Sequence, residues 1–167
     1  MLNKMLKAIN QLIEDNFKVK VEKSSLTIYD TENWEFFCKK HDFKIAEGIY
    51  IPRNLSAHVL KSKYFLQNIF HEFFGHGLFI EHTDEGKQIH SLEQKLMQEE
   101  SYLKTKEEII NFRESNENLK NLKEMYSENL QRYESFAINI EYQLSKITNT
   151  EKLFEEKYLS ACVSLSF

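Results

Sequence analysis

Apolar residues at helical spacing define the first segment of the chain, residues 2–17. Leu, Met, Ile and Phe recur there every three or four positions, and the side chains between them are mostly charged or polar. A single apolar stripe on an otherwise polar segment is typical of an amphipathic helix packed against a core. The sequence therefore predicts a helix at this end of the chain.

Between residues 19 and 51 the apolar pattern changes from helical to alternating. Val19 and Val21 alternate with charged residues, and three more groups of β-branched and aromatic residues follow, bounded by polar pairs. These groups fall within residues 26–29, 34–37 and 43–51. Short alternating groups of this kind predict three or four short strands.

After Pro52 the pattern is helical again. The helix predicted over residues 57–80 is apolar on nearly every side, so we expect it to lie inside the domain, covered by other elements. Thr83 to Gly86 interrupt the pattern, and a third helix follows with its buried face between Ile89 and Leu103.

Three further helices are predicted in the last third of the chain. Thr105 to Glu108 has the form of a capping box and starts a helix that is expected to bury Ile109 and Ile110. Ser127 is a candidate cap for the next helix, which carries Leu130 and Tyr133 on its apolar face, and a short helix follows at residues 153–159. The fold class is therefore α+β, with a small antiparallel or mixed sheet followed by a mostly helical half.

Composition limits the classes of function. The 167 residues are enough for one domain with its own core, and we expect residues 1–167 to form a single domain. Acidic and basic residues are mixed and the net charge is only −4, which argues against a nucleic-acid partner. No apolar run reaches the roughly 20 residues of a membrane helix, and Cys38 and Cys162 have no pairing motif. We therefore expect a soluble cytoplasmic protein with no membrane partner.

The candidate chemistry lies inside the apolar segment 59–80. There the chain reads His71-Glu72-Phe73-Phe74-Gly75-His76-Gly77, with two imidazoles and a carboxylate among residues that otherwise suit a core. Buried polar groups are costly unless they are satisfied, and a divalent metal ion would satisfy these three. The segment therefore predicts a metal site, with zinc as the metal.

The spacing of the two histidines requires a distorted helix if both are to bind one metal ion. They are five residues apart, so in a regular helix they would point ~140° away from each other and could not share an ion. One extra residue accommodated as a π-bulge would return them to one face. Gly75 lacks a Cβ and is the expected place for that distortion. The alternative is that Glu72 and His76, which are four apart and share a face of a regular helix, are both ligands.

The same seven residues resemble the zinc motif of the dipeptidyl-peptidase III family, which has the His-Glu-x-x-x-His spacing and the Gly-His-Gly ending. The resemblance covers this motif and little else, and that family consists of much longer two-lobed exopeptidases. It implies that His71 and His76 are zinc ligands, that Glu72 is the general base, and that a glutamate on a later helix is the third ligand.

Glu134 is the best candidate for the third ligand. With Ala137 three positions later, it resembles the Glu-x-x-Ala pattern of third-ligand helices in the wider glutamate-zincin (gluzincin) group, although the doubled acidic motif of dipeptidyl-peptidase III is absent. Glu141, seven residues on and near the same face, is a candidate to orient a ligating histidine. Glu128 is a poorer alternative because it lies near the expected helix start, where carboxylates are common.

These residues together predict a zinc metallopeptidase of the zincin type. Metal-activated water would attack a peptide bond, with Glu72 accepting its proton and passing it to the leaving amine. The candidates for oxyanion stabilisation are Tyr126, Tyr133 and His82. A strand within residues 44–51 is expected to pair with an extended peptide or protein substrate. The alternative function is a non-catalytic binding module of the same ancestry, which keeps the metal for structure; the sequence predicts no particular oligomeric state.

Overall fold

The computed structural model describes the backbone of residues 2–43 and 46–164 and the side chains of residues 2–43 and 46–159. Eight α-helices, three strands, one 3-10 turn and one π-helical segment are found in these residues. In chain order they are α1 (Leu2–Phe17), β1 (Ser25–Tyr29), α2 (Thr31–His41), β2 (Gly48–Ile51), a 3-10 turn (Pro52–Asn54), β3 (Ser56–Leu60), α3 (Phe65–Ile69), the π segment (Phe70–His76), α4 (Gly77–His82), α5 (Asp84–Glu100), α6 (Lys106–Ser115), α7 (Glu117–Ile147) and α8 (Glu151–Ser164).

The three strands form one mixed sheet in the order β1-β3-β2. β1 runs parallel to β3, with Ser25 opposite Ser56, and β2 runs antiparallel to β3, with Gly48 opposite Val59. α2 lies in the crossover between the two parallel strands, as parallel pairing requires. A small mixed sheet followed by helices confirms the predicted α+β fold class.

The strand predicted over residues 34–37 is wrong, because these residues belong to α2. Asp30 caps this helix, since its side chain accepts a hydrogen bond from the backbone N–H of Asn33. Trp34 and Phe37 are buried together on one side, whereas Phe36 between them is 68% exposed. The aromatic residues therefore follow a helical period, and the capping aspartate was the sequence signal for it.

Two further element predictions in this half are corrected. Val19 and Val21 lie in the loop between α1 and β1, where the side chain of Asn10 makes hydrogen bonds to both backbone groups of Val21. Residues 57–60, placed in the long helix by their apolar character, belong instead to the central strand β3. Pairing on both edges satisfies the backbone of β3, and one of its partners, β1, lies 31 residues earlier in the chain.

In the helical half the capping box is confirmed, with reciprocal hydrogen bonds between Thr105 and Glu108. All ten residues of α6 are nevertheless at least partly exposed, so the expected burial of Ile109 and Ile110 is wrong. α7 runs unbroken for 31 residues, and Ser127 therefore lies inside a helix rather than at its start.

The core forms around the stretch from α3 to α4. Phe70, Phe74 and Leu78 are almost fully buried there, between the sheet on one side and α1, α5 and α7 on the others. The prediction of a central apolar helix is therefore confirmed for residues 65–80. A smaller cluster packs α2 against the sheet. Within residues 2–43 and 46–164, the helices are all too short or too polar to cross a membrane.

Candidate metal centre

The predicted helical distortion between the two histidines is present. Phe70–His76 adopts π-helical geometry between two α-helical segments, so one extra residue is accommodated without breaking the helix. Gly75 lies directly against α7, where a Cβ on this glycine would come 2.6 Å from the Cα of Ala137. The absence of a side chain at Gly75 therefore allows the π segment and α7 to approach closely.

That approach brings together the three residues predicted as ligands. Nε2 of His71 lies 3.4 Å from one oxygen of Glu134, and Nε2 of His76 lies 3.8 Å from the other oxygen. One potential ligand atom from each of the three side chains falls within a group whose members are all within 4.8 Å of one another. Glu128 is exposed and lies outside this group.

His71 is oriented from behind by a second carboxylate. Its Nδ1 lies 3.0 Å from Oε2 of Glu141, which is fully buried. Because a carboxylate only accepts, Nδ1 carries a hydrogen and Nε2 is directed to Glu134. Burial opposes the charged imidazolium, but hydrogen bonds to Glu134 and Glu141 outweigh it and raise the pKa of His71 to about 9.

His76 is held by stacking instead. Its ring lies 3.9 Å from the ring of Tyr133, nearly parallel to it, and the imidazole is almost completely buried. Burial lowers the pKa of His76 well below its usual value, so the ring is neutral and able to ligate a metal. Within the described part of the chain, its buried Nδ1 has no hydrogen-bond partner.

Glu72 lies beside the ligand group rather than in it. Its Oε2 is 3.8 Å from Nε2 of His76, and its side chain lies over Gly48 of strand β2, where a Cβ would come 2.8 Å from the Cγ of Glu72. Burial raises the pKa of Glu72 to about 7, the range suited to a general base. The alternative pairing of Glu72 with His76 assumed a regular helix, whereas residues 70–76 are π-helical.

The donor set fits a zinc ion. Two imidazole nitrogens and one carboxylate oxygen are ligands that zinc takes in catalytic sites, where three protein ligands leave one position open. The Glu134 side chain is 45% exposed, so the site opens towards solvent on this side. The side chains alone do not identify the ion.

Of the three candidates for oxyanion stabilisation, only Tyr133 contacts a predicted ligand. The hydroxyl of Tyr126 points to Glu93, 3.4 Å away on α5, and Nε2 of His82 lies 2.8 Å from the carbonyl oxygen of Lys20. Sequence reasoning missed Lys157 and Tyr158 of α8, which both bind the Glu141 carboxylate. Neither belongs to a motif, so only the packing of α8 on α7 reveals them.

The strand expected within residues 44–51 is partly observed. Residues 44 and 45 lie outside the described residues, while Gly48–Ile51 form β2 at an edge of the sheet. This strand does not lead directly into the helix that carries the motif, because β3 lies between them in the chain. It nevertheless lies next to the site, since Gly48 faces Glu72.

No known protein family, curated protein or solved structure matches this chain. The case for a functional site therefore depends on the residues of the chain itself, above all on the convergence of His71, His76 and Glu134.

Proposed function

We propose that this protein is a zinc-dependent metallopeptidase with His71, His76 and Glu134 as zinc ligands and Glu72 as general base. The observation that carries the proposal is the π segment: it turns two histidines five residues apart towards one carboxylate of α7. A regular helix would avoid this distortion but would point the two histidines in different directions. A shared metal ion is a reason for the chain to adopt the π-helical geometry.

Each residue has a distinct role in the proposed reaction. A bound zinc ion would supply Lewis acidity, which lowers the pKa of water and polarises a carbonyl group. Glu141 fixes the ring of His71 through Nδ1, and stacking on Tyr133 fixes His76. Glu72 accepts a proton from the attacking water and donates it to the leaving amine, a contribution of about 10²–10⁴-fold in rate.

The proposed substrate is an extended peptide segment paired with strand β2. This strand is at the edge of the sheet, so within the described residues one side of its backbone has no strand partner, and a peptide is proposed to pair there by β-augmentation. Gly48 lies at the start of β2 and directly against Glu72, which would place the backbone of a paired peptide close to the general base. A cytoplasmic location is part of the proposal, supported by the buried free thiol of Cys38.

The substitution Glu72→Gln tests the proposal. The variant should retain zinc, measured by elemental analysis, and lose hydrolysis of an unfolded protein such as casein. Glu128→Gln, an exposed position on α7, is the matched control and should retain both properties. Loss of zinc from Glu72→Gln would make Glu72 a ligand and contradict the assignment. Zinc binding by a wild-type protein that cleaves nothing would favour the alternative, a metal-stabilised binding module.

A further inference from the structure

Helix α8 brings a cation and a hydroxyl group to the carboxylate that orients His71. Lys157 donates from Nζ to Oε1 of Glu141 at 2.8 Å, and Tyr158 donates from its hydroxyl to Oε2 at 2.7 Å. The same Oε2 lies 3.0 Å from Nδ1 of His71. One buried carboxylate therefore joins α8 to a proposed zinc ligand.

These two donors compensate for the burial of the Glu141 carboxylate. A fully buried carboxylate is strongly disfavoured unless charge and hydrogen bonds compensate for its lost hydration. His71 alone supplies one hydrogen bond, and Lys157 and Tyr158 supply the other two that the structure gives to this group. With all three in place the carboxylate has one orientation, which fixes the ring of His71 and the direction of Nε2.

The position of α8 on α7 depends on contacts other than those with Glu141. The ring of Phe154 packs against Tyr142 of α7, with 5.3 Å between the ring centroids. Glu156 forms an ion pair of 2.6 Å with Lys63, in the connection between β3 and α3. Lys157 and Tyr158 therefore reach Glu141 only when these contacts hold α8 against α7.

We propose that Lys157 and Tyr158 are positioning residues for zinc binding, and that docking of α8 on α7 is thermodynamically coupled to occupation of the metal site. This inference rests on the proposed function, since it requires His71 to be a ligand. Coupling is reciprocal: if docked α8 improves the metal site, zinc must stabilise docked α8 to the same extent.

Zinc affinity of the full chain, measured by competition with a chromophoric chelator, tests the first part. Tyr158→Phe and Lys157→Met should each weaken binding about 10–100-fold, the range found when groups supporting a metal ligand are removed. Tyr102→Phe removes a hydroxyl from an exposed tyrosine outside the site and Lys152→Met removes an exposed ammonium from α8, and both should bind like wild type. Lys157→Arg keeps a cationic donor and should recover affinity relative to Lys157→Met.

Amide hydrogen exchange of the same proteins tests the coupling. Zinc should slow exchange along α8 in the wild-type chain, and less so in Tyr158→Phe, a change that a merely structural tyrosine would not produce. If wild type binds zinc while Tyr158→Phe and Lys157→Met bind equally tightly, or if zinc leaves exchange in α8 unchanged, the inference is overturned and the zinc site stands. If wild type binds no zinc, the proposed function itself fails.

Discussion

The close contact between Gly75 and Ala137 makes a sharp prediction for the substitution Gly75→Ala. The added Cβ would lie 2.6 Å from the Cα and 2.8 Å from the Cβ of Ala137, whereas carbon atoms pack at about 3.5–4.0 Å. The nearest atom is backbone, so no side-chain rotation relieves the overlap, and the π segment and α7 must separate by about 1 Å. Overpacking of this kind costs about 1–3 kcal/mol, which exceeds the gain of up to ~1 kcal/mol expected from alanine in a helix.

The same separation would move Glu134 and Glu141 away from the histidines, because both carboxylates lie on α7. We therefore expect Gly75→Ala to lower the free energy of unfolding of the metal-free protein in urea and to weaken zinc binding. Gly77→Ala is the matched control two residues away: its Cβ would meet the side-chain oxygen of Ser24 at 3.3 Å, so stability should change by less than ~1 kcal/mol. A Gly75→Ala variant as stable as wild type and equal to it in zinc affinity would refute the packing argument.

Three further predictions concern the site itself. Glu134→Ala should lose zinc by elemental analysis while Glu128→Ala retains it, and an unchanged zinc content in Glu134→Ala would exclude Glu134 as a ligand. Gly48→Ala would place a Cβ 2.8 Å from the Cγ of Glu72 and displace that side chain, so peptide hydrolysis should fall about 10²-fold with zinc content unchanged; equal activity would show that the contact with Gly48 does not position Glu72 for the reaction. Burial lowers the pKa of His71, but hydrogen bonds to Glu134 and Glu141 outweigh it and raise the pKa from 6.5 to about 9. The bound proton therefore stabilises the metal-free fold fully below pH 6.5, and this stabilisation is lost as the pH rises through 9. Zinc affinity should rise over the same interval by up to about tenfold per pH unit, because binding releases that proton, and a flat pH profile would contradict the assignment.

The grouping of His71 and His76 was largely predictable because its signals are local. The five-residue separation of His71 and His76 is incompatible with a shared ligand role in a regular helix, and Gly75 marks where the distortion can occur. The apolar residues around Glu134 and the Glu-x-x-Ala resemblance favoured it over Glu128, and the structure brings Glu134 to the two histidines. Glu141 follows from the period of α7, and its contact with His71 is confirmed.

The errors in the fold arise where partners distant in sequence decide the structure. Residues 57–60 are apolar enough for a buried helix, and only their pairing with β1 and β2 makes them a strand. In α2 the misleading feature is an aromatic cluster of high strand propensity, which a helix accommodates by leaving Phe36 exposed. Lys157 and Tyr158 could not be assigned from sequence, because their role depends on the docking of α8.

We propose that one zinc ion binds His71, His76 and Glu134, and anomalous diffraction from crystals of the zinc-loaded protein would locate that ion. Data collected on either side of the zinc absorption edge should show one strong peak at this cluster, with the two imidazole nitrogens at ~2.0–2.1 Å and a Glu134 oxygen at ~2.0–2.2 Å. Glu72 should lie near the ion without ligating it. A map with no peak there, or an ion ligated by Glu72 in place of His71 or Glu134, would contradict the assignment of these three residues as zinc ligands.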